Sequence, residues 1–416
     1  MAYIIGRMLS AERILERCES LAQHSELPGG LTRVFLSPQA RAASDKVLGW
    51  MREAGMQAKL DAIGNAAGRY EGERPGLPCL MLGSHLDTVR DAGKFDGMLG
   101  VIAAIECVSL LNSKNQRLPF AIEVIGFGDE EGVRFGTTLL GSRAVAGTFD
   151  SNALSAKDSS GKTMADALRE FGLDPQGIPK LARRKADVLA YAELHIEQGP
   201  VLEAEGLAVG VVTAINGFSR LRVTLRGAAG HAGTVPMNLR RDALAGAAEC
   251  ALAVERVALG HPELVGTVGR FEAKPGAINV IPGEVMFTVD VRAPQDPLRE
   301  KAVTAIRSHI EEISRHRNLR CEIENLQHFG VTACAPRLIA QMERAVASQG
   351  FRVRRLPSGA GHDGMALGAI TDICMLFVRC KGGISHNPLE SITRDDADAG
   401  VRVLMKFIQG FDGLSP

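Results

Sequence analysis

CLMLGSHLDT, residues 79–88, is a short apolar run that closes on a glycine, a histidine and an aspartate. Five residues with no polar alternation fit a strand buried on both faces better than a half-wet one. Upstream, Ser37-Pro38 supplies an N-cap and a proline at the first helical position. Gly55 then closes a segment carrying Val47, Leu48, Trp50 and Met51. Downstream, 98–111 is long and helical, FAIEVIGF (120–127) is strand-like, and 190–195 and 207–214 continue the strand series. Helical and strand segments in alternation predict an α/β fold, with a mixed, largely parallel sheet covered by helices.

The pattern changes after Asn216-Gly217. RLRVTLR (220–226) alternates polar and apolar residues, as a strand with one wet face does. Helical 241–258, strand-like 268–273 and 284–291, and helical 298–315 follow, and near 329–336 the first pattern resumes with helical 337–349 and strand-like 373–378. This predicts a split domain over 1–213 and 331–416, with an α+β domain inserted over 214–330.

Composition narrows the function classes. Of 416 residues, 45% are hydrophobic, 5% aromatic and 23% charged, with 48 Lys+Arg against 48 Asp+Glu. Balanced charge and few aromatics disfavour nucleic-acid binding, and no apolar run approaches a membrane span of ~20 residues. The N-terminal MAYIIGR (1–7) is too short for a signal peptide. Eight scattered cysteines without a CxxC pair predict reduced, buried thiols and a cytoplasmic location.

Five segments carry candidate chemistry. In GSHLDT (83–88), His85 has an imidazole to coordinate a metal, and Asp87 has a carboxylate to hold the other ring nitrogen's proton. A hydrogen-bonded surface pair is the alternative. In KFDGMLG (94–100), Asp96 precedes a helix and taken alone reads as an N-cap. In GDEEG (128–132), adjacent carboxylates repel unless a cation compensates, and a solvated acidic loop is equally consistent. ELHIEQG (193–199) and SHNP (385–388) add His195 and His386. Together His85, His195, His386, Asp96 and Glu131 suffice for two ions with one carboxylate bridging, which leaves room for water. Nitrogen and oxygen donors without thiolate suit Zn, Mn or Co. Glu130, beside Glu131, is placed to carry a proton.

At these residues the chain resembles the M20-type dinuclear metallohydrolases. Within them it resembles the group of N-carbamoyl-L-amino-acid hydrolases, β-ureidopropionases and allantoate amidohydrolases. The likeness rests on GSHLDTV (83–89), KFDGMLGV (94–101), DEEGVRF (129–135), ELHIEQGPVLE (193–203), GHAGTVPM (230–237), GAINVIPG (276–283) and GISHNPLE (383–390). It implies a first metal on His85, Asp96 and His195, and a second on Asp96, Glu131 and His386. Asp87 would orient His85, and Glu130 would act as general base and then acid. His231 would polarise the scissile carbonyl. Asn279 and Arg292 would clamp the substrate carboxylate, with Gln198, Arg220 and His362 as further substrate contacts.

The resemblance also implies a metal-binding domain and an inserted lid domain that dimerises the chain and closes during turnover. The expected activity is hydrolysis of a ureido C–N bond in a small carboxylate, releasing ammonia and carbon dioxide. Allantoate is favoured by the look of 126–150 and by Arg220 after Gly217; N-carbamoyl-L-amino acids and N-carbamoyl-β-alanine are the alternatives. From another class, a metal-free binding protein retaining the fold would be expected to lack a ligand or the shuttle, yet all six residues are present.

Overall fold

The computed structural model describes residues 9–413, so the 1–7 stretch read for a leader lies outside the described residues. The chain divides into two compact units. One comprises the chain up to Thr213, Cys334–Leu356 and everything from Ala360 on; the other comprises Ala214–Ala333 with Pro357–Gly359.

The first unit is built on one mixed sheet. Across it the strands run Gln57–Leu60, Ala66–Tyr70, Ala121–Phe127, Cys79–His85, Val188–Ile196, Ile373–Val378 and Val209–Ile215, with Arg355–Ser358 also pairing to Val209–Ile215. The four central strands are parallel and the edge pairings antiparallel. Cys79–His85 and Ala121–Phe127 are buried at every position, which is why their sequences do not alternate. From Cys79–His85 the chain moves to one neighbour, 121–127, and later to the opposite neighbour, 188–196. A crevice therefore opens at the carboxyl ends of these strands.

Helix Met98–Ser113 is predominantly apolar, and its residues from Met98 to Leu111 are buried, Glu106 among them. The Ser37 hydroxyl caps Pro38–Glu53 by accepting the Ala40 N–H at 3.1 Å. A capping box of Thr393 and Asp396 starts the amphipathic C-terminal helix Arg394–Gln409.

In the second unit, four antiparallel strands lie in the order Arg320–Phe329, Gly217–Arg226, Glu284–Ala293, Val265–Lys274. Leu221, Val223, Leu225, Val285, Phe287, Val289 and Val291 share a core with Cys250 and Val254 of helix Ala243–Leu259 and Ile306 and Ile310 of helix Asp296–His316. Burial alternates strictly along Glu284–Ala293, so the even-numbered residues face away from that core. All eight cysteines are free, and only Cys321 is not fully buried. Among the described residues, no helix is long and apolar enough to cross a membrane.

Candidate metal centre

Parallel pairing brings the motif-bearing strand ends together. His85 lies opposite Phe127, whose strand runs on into 128–131, and His195 lies opposite Phe377, whose strand leads to 385–386. The Nε2 atoms of His85 and His195 lie 3.6 and 3.2 Å from Asp96 Oδ1. His386 Nε2 lies 3.1 Å from Asp96 Oδ2 and 3.3 Å from Glu131 Oε1. His85, Asp96 and His195 each offer a ligand atom within 4.8 Å of the others, as do Asp96, Glu131 and His386. Asp96 belongs to both groups. It is not the cap of the helix that follows: Gly97 holds that position at φ 73°, without a side-chain cap bond. A Cβ at Gly97 would lie 2.6 Å from the His85 ring, so only glycine lets the imidazole settle there.

The donor set fits a divalent cation. Nδ1 of His85 lies 3.0 Å from the Asp87 carbonyl, and Nδ1 of His195 lies 2.9 Å from the Ile196 carbonyl. A carbonyl only accepts, so each Nδ1 carries a proton and each Nε2 is the atom turned toward Asp96. Lone pairs aimed at a carboxylate repel it unless a proton or metal ion lies between them. The electron-rich setting is visible in His386, whose pKa is pushed up to about 10 by hydrogen bonding to Asp96 and Glu131.

The structure changes the part assigned to Asp87. Its carboxylate stands 3.9 Å from His85 Nδ1, and the backbone carbonyl takes the proton instead. The carboxylate accepts the Glu130 and Glu131 N–H groups at 3.1 Å each, so Asp87 holds the acidic turn. Glu130 is buried and within the same reach of His85 and Glu131. Burial holds its carboxyl well above the ordinary range, and Glu131, Asp363 and Asp87 push the same way against His85.

Gln198, expected at the substrate, is instead turned to the centre. At φ 57° it donates through Nε2 to both Asp96 oxygens at 3.2 Å and to Ser385 Oγ at 3.1 Å. His362 is buried edge-on to His195, with ring centroids 4.5 Å apart. Two carboxylates not singled out in the sequence support the site. Glu390 accepts the Phe95 and Asp96 N–H groups at 2.8 and 3.1 Å and the Ser385 hydroxyl at 3.0 Å. Glu193 is held by the Ser84 and Tyr191 hydroxyls at 2.8 and 2.9 Å. Both lie inside quoted motifs, and the signal available was an acid at fixed distance from a ligand histidine.

His231, Asn279, Arg220 and Arg292 belong to the second unit. His231 and Asn279 are exposed; the strand at His231 pairs with Val280–Ile281, and the Ala232 N–H donates to the Asn279 carbonyl at 3.0 Å. The Gly233 N–H donates to His231 Nδ1 at 3.0 Å, so Nε2 carries the proton. Arg292 lies on the solvent side of the sheet and donates Nε and Nη2 to Asp290 at 2.9 and 3.1 Å and Nη1 to the Gly359 carbonyl at 2.8 Å. Its side-on fork is thus filled by Asp290, and Nη1 is engaged by the Gly359 carbonyl.

Comparison with known proteins places this geometry. Residues 81–410 match the model of peptidase family M20/M25/M40. An N-carbamoyl-L-amino acid amidohydrolase of Geobacillus stearothermophilus is 43% identical, over 95% of this chain and 97% of its own. A probable allantoate deiminase of Oryza sativa subsp. japonica is 42% identical, over 96% and 88%. The crystal structure of a hydantoinase/carbamoylase family amidase from Burkholderia multivorans superposes with a TM-score of 0.91 at 34% identity, over 97% and 98%. Sharing both the sequence over most of its length and the fold, the chain belongs to peptidase family M20/M25/M40, in the group that holds the allantoate deiminases and N-carbamoyl-L-amino-acid amidohydrolases.

Proposed function

We propose that this chain is a metal-dependent amidohydrolase that cleaves a ureido C–N bond of a small carboxylate, with allantoate as the first candidate substrate. The observation that carries the reading is the convergence of three imidazoles and Glu131 on Asp96, two of the imidazoles having their tautomer set by backbone carbonyls.

In this reading His85, Asp96 and His195 hold one divalent ion and Asp96, Glu131 and His386 a second; Zn, Mn and Co all suit the donors. When bound, such ions supply positive charge that acidifies water and polarises a carbonyl. Asp87 fixes the turn that presents Glu130. Glu130 takes a proton from the attacking water and returns it to the departing nitrogen. A C–O bond forms and a C–N bond breaks, the departing nitrogen leaves as an amine carrying the proton from Glu130, and the carbamate released with it decomposes to ammonia and carbon dioxide. His231, with its proton on Nε2, donates to the carbonyl oxygen as negative charge develops there. Asn279 and Arg292 take the carboxylate, with Arg220 as a further contact.

N-carbamoyl-L-amino acids are the second reading, supported by the 43% identical relative. Both substrates carry a carboxylate beside a ureido-bearing carbon, so the same residues serve either. The expected setting is a cytoplasmic homodimer associating through the second unit. An ammonia-release screen of Mn-loaded protein against allantoate, N-carbamoyl-L-amino acids and N-carbamoyl-β-alanine tests the proposal. Turnover of none of them, in protein with bound metal, rejects it.

A further inference from the structure

On the solvent side of the second unit's sheet, a recess of about 570 Å³ is lined by Arg220, Thr267, Thr288, Asp290, Arg292 and Leu326, among others. Strand register puts Arg220 directly opposite Asp290, and Arg292 is two residues further along the same face as Asp290. Asp290 accepts from both guanidiniums: Arg220 Nε at 2.8 Å, and Arg292 Nε and Nη2 at 2.9 and 3.1 Å. Both cations also lie over the Phe218 ring, at 4.7 and 5.6 Å from its centroid. Burial opposes ionisation of Asp290, but the two guanidiniums outweigh it and hold its carboxyl below the ordinary range.

Elsewhere on this face the charges balance in the manner of a solvated surface. Arg222 pairs with Glu324, and Arg226 has Glu284 and Glu322, with side chains 29–69% exposed. At Asp290 one acid serves two cations, and Gln327, which accepts Arg220 Nη1 at 2.6 Å, is neutral. The recess therefore carries one uncompensated positive charge. Its guanidinium planes are fixed by Asp290 and Phe218.

We infer that Asp290 is a positioning and specificity-determining residue: it aims Arg220 and Arg292 and trims their joint charge, so that the recess accepts one carboxylate and gains nothing from a second. This rests on the ureido-carboxylate reading and adds a substrate class to it, monocarboxylates over dicarboxylates.

The test uses succinate and its monoanionic isostere succinamate as inhibitors of whichever ureido carboxylate the enzyme hydrolyses. Asp290→Asn should raise KM with kcat held within about threefold. It should also shift the Ki ratio about tenfold in favour of succinate, because the recess gains one unit of positive charge. Arg220→Gln should shift that ratio about as far the other way. Opposite shifts in two variants are a readout that general loosening of the sheet does not produce. A ratio unmoved in either folded variant, or shifts of the same sign, would overturn the inference while leaving the parent reading intact. A wild-type enzyme that releases ammonia from no ureido carboxylate overturns both.

Discussion

In the first unit, His85 and His195 give their Nδ1 protons to backbone carbonyls 3.0 and 2.9 Å away; in the second, His231 receives the Gly233 N–H at Nδ1. The first pair are 2% and 1% exposed, whereas His231 is exposed to solvent. One residue type is thus set up in two opposite ways. Buried rings whose Nδ1 is held by a carbonyl present Nε2 to Asp96 and suit a cation. An exposed ring with an Nε2 proton suits an anion that exists only during reaction. The difference lies in the second ring nitrogen's partner: a carbonyl acceptor for His85 and His195, an N–H donor for His231.

Removing the shared carboxylate is the severest trial of that contrast. Asp96→Ala should reduce bound metal after Mn loading and bring ammonia release to background, by elemental analysis and ammonia assay; full metal content would break the picture of the first unit. Glu130→Gln should keep the metal while kcat falls by about two to four powers of ten, and wild-type turnover would remove Glu130 as proton carrier. His231→Ala should lower kcat by about two to three powers of ten with metal content unchanged. Loss of metal in that variant would erase the contrast between the units. Arg292→Ala should raise KM by roughly ten- to a hundredfold with a small change in kcat, and an effect confined to kcat would contradict a binding role. Gly97→Ala sharpens the comparison with the mildest loss of turnover. It should destabilise the chain by about 1–3 kcal/mol and weaken metal binding, seen as a lower Tm and a weaker response of Tm to added Mn. An unchanged Tm would show that the His85 ring has more freedom than its contact with Gly97 implies.

The sequence was most legible where burial and spacing coincide. CLMLG (79–83) reads as an apolar run and 120–127 as strand-like because both faces of these strands are covered, and their ends lined up the ligand motifs. Strands whose stability comes from pairing were missed. Gln57–Leu60 and Ala66–Tyr70 lack β-branched residues, and Arg320–Phe329 is largely polar because it lies at the edge of its sheet. Glu390 was missed for a related reason. It bonds Phe95 and Asp96, which lie 295 and 294 residues away in the chain, so its place four residues after His386 marks an acid near a ligand without naming these partners.

Residue order alone determined the α/β class of the first unit, the inserted antiparallel unit and the residue types available for metal, proton and carboxylate. These follow from hydrophobic periodicity and from chemistry that each side chain carries wherever it stands. Only the tertiary structure decided how those groups are aimed. It put the carbonyl of Asp87, not its carboxylate, on His85; turned Gln198 inward to Asp96; and filled the fork of Arg292 with Asp290. Hydrogen-bond direction depends on angles and on partners distant in the chain, and these exist only once the backbone is folded.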